Sequence, residues 1–185
     1  ETEVQGLDYI YTLQGWLKTV NSERIGSVYD VGKDGNGETF AKDAFAFALN
    51  YYKGDYNSRY STEGNPTDKN LFYFSKGKDV ESSVNLYNGN IKEMVTSLIG
   101  LDESLLNTQF NYYSYDQLNR ILGMNSKKIE YLSNQIDAKQ VSTGVNSYAS
   151  TFSYDRNGNL KTLTRNETPS VRFDNLNYHY KRGSN

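Results

Sequence analysis

The stretch FNYYSYDQLNRILGM, Phe110 to Met124, carries the layout on which the chain is built. An aromatic and a spacer lead to Tyr115-Asp116, Asn119 follows four places after that Tyr, and Ile121 lies two further on. The layout recurs at Phe152-Ser153-Tyr154-Asp155, with Gly158 and Leu160 in the matching places. It recurs near the start as Tyr9-Ile10-Tyr11-Thr12, with Gly15 and Leu17. A last copy begins at Tyr178-His179-Tyr180-Lys181, and a weaker echo, Asn85 to Ile91, keeps Gly89 and Ile91 but lacks the Tyr.

Each unit has a physical reading. Aromatic-x-Tyr puts two rings on one face of a strand, because side chains alternate with period two. Asp-x-x-Gly or Asp-x-x-Asn suits a type I turn: Asp accepts from the backbone at the first position, and Gly or Asn tolerates the left-handed conformation at the last. A left-handed residue after a type I turn makes a bulged hairpin loop. The Leu or Ile two places later opens the returning strand. The expected fold is therefore all-β, a curved sheet of successive antiparallel hairpins with polar loop inserts and at most one or two short helices. The residues that set the repeat are Tyr11, Gly15, Leu17, Tyr115, Asp116, Asn119, Ile121, Tyr154, Asp155, Gly158 and Leu160.

These residues also resemble a family. Tyr115-Asp116-Gln117-Leu118-Asn119-Arg120-Ile121 and Tyr154-Asp155-Arg156-Asn157-Gly158-Asn159-Leu160 are similar to the YD repeats of Rhs proteins. Gly6 to Asn21, Asp43 to Tyr56 and Leu86 to Ile91 resemble stretches of bacterial Rhs-type surface proteins. Thr12 and Lys181 stand where the Asp is expected, so two copies carry the literal pair. The core ending that family members place before a variable C-terminal region is absent from this sequence. The resemblance implies an extracellular or cell-surface location. It also implies a sheet that, in larger members, coils into a hollow shell around a C-terminal toxic polypeptide. On that reading the partners are the remainder of a longer chain and a toxin segment.

Composition bounds the rest. The 185 residues suffice for one domain, 1–185, with 22–75 as an insert region between repeat units. The apolar fraction is 36%, below the roughly 45–50% of ordinary globular chains, and mean hydropathy is -0.76. Seventeen tyrosines are counted in that fraction, and Tyr buries a large ring while keeping its hydroxyl wet. A net charge of -2 lacks the electrostatic footprint of a nucleic-acid binder and gives no attraction to an anionic membrane. No apolar run is long enough to span a bilayer as a helix. With no Cys, disulfides and thiolate metal sites are excluded. Glu1 is not a start Met and the last unit breaks off at Asn185, so the sequence reads as an internal piece of a longer protein.

Along the chain, Gly6 to Asn21 reads as a hairpin, with Leu7, Tyr9 and Tyr11 on one face and Trp16, the single Trp, after its turn. Ser22 to Glu38 is polar. Its Asp30, Asp34, Asn36 and Glu38 fail the EF-hand register, which from Asp30 puts Gly32 and Ala41 in ligand places. Phe45, Phe47 and Leu49 alternate with alanines, which favours a strand with its larger side chains facing the core; a helix over 41–50 is the alternative. Asn57 to Asn70 reads as a polar loop and Leu71 to Ser75 as a short strand. Ile91 to Ile99 reads as a strand, with a short helix as alternative. Leu101 to Asn107 reads as a connection. Ile129, Leu132 and Ile136 have helical spacing, so Asn125 to Gln140 reads as a short amphipathic helix or an irregular loop.

The sequence shows no reactive constellation. His179 is the single His, and on a strand it points away from both neighbouring rings. No phosphate-binding glycine loop is present. Asp116 and Asp155 hold equivalent turn positions, which argues for capping rather than catalysis, since a catalytic Asp is not needed in every unit. The expected protein is thus a non-catalytic, cofactor-free and metal-free stretch of sheet, whose exposed edges favour self-association. The alternative is a carbohydrate- or cell-surface-binding module that uses Tyr and Trp rings.

Overall fold

The computed structural model of the chain describes residues 4–23, 25, 31–32, 40–56, 84–100, 108–131, 138–141, 147–168 and 170–181. The expected loops over 26–30, 33–39 and 57–70, the strand at Leu71 to Ser75 and the connection 101–107 lie outside the described residues, and so does the loop holding Asp30, Asp34, Asn36 and Glu38.

The described residues are all-β, with strands β1 (Val4–Gln5), β2 (Tyr9–Tyr11), β3 (Leu17–Val20), β4 (Phe40–Ala41), β5 (Phe45–Asn50) and β6 (Glu93–Leu98). There follow β7 (Thr108–Tyr115), β8 (Ile121–Tyr131), β9 (Ala138–Val141), β10 (Ser150–Tyr154), β11 (Leu160–Asn166) and β12 (Arg172–Asn177). A 10-stranded antiparallel sheet runs β12-β11-β10-β8-β7-β6-β5-β3-β2, with β9 on β8. Its two ends do not meet, so it is open rather than a barrel. β1 and β4 form a separate parallel pair.

The three best sequence copies are the hairpins β2–β3, β7–β8 and β10–β11. In each, the register shifts at the repeat Tyr: between Ile10 and Tyr11, Ser114 and Tyr115, Ser153 and Tyr154. The position four places on is left-handed in each, with φ 81° at Gly15, 61° at Asn119 and 88° at Gly158. The bulged type I loop expected from Asp-x-x-Gly is thus present in all three.

Two expectations are corrected. Asn125 to Tyr131 is neither helix nor loop but the second half of an eleven-residue strand. β8 pairs with β7 along one side, while β10 (at Gly123 and Met124) and β9 (at Lys128 to Tyr131) share the other. Backbone pairing with β7, joined by β9 from Lys128 onward, prevails there over the helical spacing that begins at Ile129. The second correction concerns β5. Its alanines, not its larger side chains, face the fully covered side: Ala46 and Ala48 are buried, whereas Phe45, Phe47 and Leu49 are half-buried. The cause is the chain after β3. Asn21, left-handed at φ 63°, ends that strand and is clamped by bonds to Asp8 N and Phe45 O. Residues beyond it then pass over the sheet, where Ser97 Oγ donates to the Glu23 carbonyl and also meets Thr108 Oγ1. Small residues at 46, 48 and 97 make room for that passage.

Candidate functional site: the inter-hairpin seam

The repeat residues converge on one seam at the turn end of the sheet. Asp116 N–H donates to the Arg120 carbonyl and Asn119 N–H to the Asp116 carbonyl, closing the loop. Asp155 with Asn159 and Gly158, and Thr12 with Trp16 and Gly15, repeat the same two bonds. The side chain then caps the loop. Asp116 Oδ1 accepts from Leu118 N and Arg120 N, and Asp155 Oδ1 from Asn157 N and Asn159 N. Thr12 Oγ1 accepts from Trp16 N at 3.1 Å, so the hydroxyl takes over part of the missing Asp's role. The backbone and Arg120 bonds hold the Asp116 carboxyl below its usual range. For Asp155 the Asn159 side chain is the main cause of the same lowering.

The seam's second component joins one hairpin to the next. Tyr115 Oη donates to the Ile91 carbonyl at 2.8 Å, Tyr154 Oη to Ile121 at 2.9 Å, and Tyr180 Oη to Leu160 at 2.9 Å. Ile121 and Leu160 open the return strands β8 and β11 of the preceding units, and Ile91 lies two residues before β6. Leu17 has the same bond, from Tyr51 Oη at 2.9 Å. Tyr51 is therefore the Tyr that the echo at Asn85 to Ile91 lacks. It stands at the end of β5, and the turn residue Gly89 (φ 85°) lies far downstream of it. A long insertion interrupts that unit between its Tyr and its Gly, so local spacing could not show it.

At three of the turns the residue after the Gly or Asn reaches forward as well, whereas Asn159 bonds back to its own Asp155. Trp16 packs on the Tyr51 ring, centroids 4.9 Å apart, and a Cβ at Gly89 would meet Trp16 Cζ2 at 3.3 Å. The single Trp is thus a packing residue at this joint. In the same place Arg120 lies over the Tyr154 ring at 4.8 Å, with its other bonds to Asp116 Oδ2 and the Asp155 carbonyl. Asn88 and Asn90 both donate to Asn119 Oδ1, tying the two central turns together.

Beside this joint is a cavity of about 440 Å3 lined by Tyr112, Tyr113 and Tyr115 with Asn90, Asn119, Asn125 and Asp116. Burial raises the Tyr113 and Tyr115 hydroxyls above their usual range, so both stay protonated at neutral pH. A second cavity, about 450 Å3, is lined by Tyr9, Tyr11, Tyr52 and Tyr56. Tyr9 and Tyr11 are half-exposed at its rim. His179 is exposed, and it lies just beyond the end of β12 rather than on a strand. Among the described residues no group of three or more acidic or His side chains is placed to hold a metal.

One polar cluster escaped the sequence reading. Lys18 (β3) is fully buried, and its Nζ donates to Asn50 Oδ1 and Asp55 Oδ1, both at 2.7 Å, and to the Leu49 carbonyl at 3.0 Å. Asn50 Nδ2 donates to Glu93 Oε2 at 3.3 Å, and Asp55 Oδ2 accepts from Tyr51 N. Burial lowers the Lys18 pKa, against the opposing pull of Asp55. Each of these residues reads in sequence as a solvated polar residue. Only the β3-β5-β6 pairing brings them together.

Replacing Tyr154 by Phe removes one inter-hairpin bond and leaves the Ile121 carbonyl without that donor. The expected loss is about 1 kcal/mol, read from the urea midpoint. Acid stability reports the caps. A carboxyl whose folded pKa is depressed stabilises above its unfolded value, here 3.8, and that contribution disappears as pH falls through the folded pKa. The double variant Asp116→Asn, Asp155→Asn is therefore expected to flatten the stability profile below pH 3.8. A profile as steep as the parent's would assign the acid sensitivity elsewhere. In comparisons with known proteins, the chain matches no family model and no curated relative.

Proposed function

We propose that the chain is a non-catalytic stretch of repeating β-sheet wall, belonging to a shell or a cell-surface array of YD-repeat type. The observation that carries this reading is the Tyr-to-carbonyl bond made four times, at Leu17, Ile91, Ile121 and Leu160, always from one unit to the one before. A bond that recurs at every joint is an increment of extension, since it lets hairpins be added without a new interface. The repeat aspartates support the reading too, because each spends its oxygens on its own loop. The sheet's outer strands, β2 and β12, are each paired on one side among the described residues. Phe173 and Leu176 lie exposed on β12. Such edges pair with further wall, whether more of a longer chain or a second copy.

Sedimentation of the isolated chain tests this. Concentration-dependent association is expected, and a proline at Asn175 should suppress it by removing a backbone donor from the edge. A monomer at every concentration, with fast amide exchange along β2 and β12, would count against an extending wall.

The Tyr-lined cavity favours a second reading, a carbohydrate-binding module. Rings flanked by Asn and Asp suit a sugar's apolar face and its hydroxyls. Against it, Tyr115 Oη is committed to Ile91 and Tyr113 Oη lies 3.8 Å from Met94 Sδ. A glycan array decides: binding that Asn125→Ala abolishes supports the module, and no signal above background removes it.

A further inference from the structure

The buried cluster at the β3-β5-β6 junction goes beyond the wall reading and does not depend on it. It places an amine, a carboxamide and two carboxylates within reach of one another. We propose that Lys18 and Asn50 join in an intramolecular amide bond, with Asp55 and Glu93 moving the protons. Lys18 Nζ donates to Asn50 Oδ1 at 2.7 Å, so the amine is held against the amide whose carbon it must attack. Asp55 Oδ1 is 2.7 Å from the same Nζ, on the side from which a proton must leave. Glu93 Oε2 is 3.3 Å from Asn50 Nδ2, the group that must depart.

The chemistry balances without an outside reagent. Lys18 passes one ammonium proton to the Asp55 carboxylate, and its lone pair attacks Asn50 Cγ. The new bond is Nζ–Cγ. A second proton moves from Nζ to the Glu93 carboxylate and on to Nδ2. The Cγ–Nδ2 bond then breaks, ammonia leaves and the carbonyl re-forms. One hydrogen stays on Nζ as the amide N–H, Asp55 ends protonated and Glu93 returns to its starting state. Nothing is oxidised or reduced.

Burial favours each step. Desolvation depresses the Lys18 pKa and so favours the free amine that can attack. The side chains of Lys18 and Asp55 are fully covered, so water competes poorly for the acyl carbon and for the protons. The cross-strand register Asn50↔Glu93 fixes the leaving group against its proton carrier. The product exchanges a buried ion pair, costly to desolvate, for a neutral amide. It would also clamp the first hairpin covalently to β5, the strand beside it.

Intact mass and a tryptic map of the folded, purified chain test the bond. The expected mass is one ammonia below that of the sequence. Trypsin should fail at Lys18 and release Glu1–Arg24 joined to Asp43–Lys53 as one branched peptide. Glu93→Gln should restore the sequence mass and cleavage at Lys18 while far-UV circular dichroism keeps the strand signal. Full sequence mass in a parent chain with that strand signal, with free Glu1–Lys18 in the digest, overturns the proposal. Loss of ammonia without the branched peptide also overturns it, since a succinimide at an Asn-Gly pair would lighten the chain without joining it.

Discussion

The sheet depends on a hydrogen bond from a tyrosine hydroxyl to the carbonyl that opens the preceding return strand. The bulge at each repeat Tyr takes the backbone out of register at that point, so the ladder alone cannot satisfy every carbonyl near the turn. The Tyr of the next hairpin reaches across and supplies the donor. Its ring fills the space between turns, and its hydroxyl meets the demand that the bulge creates. This ties turn chemistry to sheet extension. A unit that forms its bulged loop also creates the acceptor that its neighbour needs.

The composition follows from this arrangement. Seventeen tyrosines are unusual in a chain with a 36% apolar fraction. A single open sheet has no thick apolar layer, and among the described residues few large apolar side chains are fully buried, Phe110 and Val95 being the main ones. Rings with a polar tip serve better here than aliphatic side chains, because each buries area and satisfies a backbone group at once. The same logic explains the residue after two of the turns. Trp16 and Arg120 differ in chemistry, yet each covers the next unit's Tyr ring from the same position.

The Lys18 cluster follows different physics. A buried ion pair adds little net stability over an apolar replacement, because desolvation offsets the Coulomb gain. Its place at the β3-β5-β6 junction, with an amide and a second carboxylate around it, is poorly explained by packing alone. A covalent outcome gives the arrangement a reason, and the protein's placement of Asn50 opposite Glu93 supplies the geometry. The neighbouring alanines have another cause. They clear a path for the chain leaving β3.

The hairpins were legible from residue types alone, because Asp-x-x-Gly and aromatic-x-Tyr act through local sterics and period-two alternation. Tyr11, Gly15, Leu17, Tyr115, Asp116, Asn119, Ile121, Tyr154, Asp155, Gly158 and Leu160 therefore take the strand and turn places their spacing implies. What local pattern could not reveal depended on contacts distant in sequence. Tyr51 serves a unit whose turn lies beyond a long insertion. Residues 125–131 become strand because β7 continues beside β8 and β9 joins its other side from Lys128 onward. The face of β5 that is buried is chosen by a segment crossing over it. Lys18, Asn50, Asp55 and Glu93 meet only after three strands pair. Local sterics determine turns, and the all-β class with them. Which side chains share a buried site is set by strand order, a property of the assembled sheet.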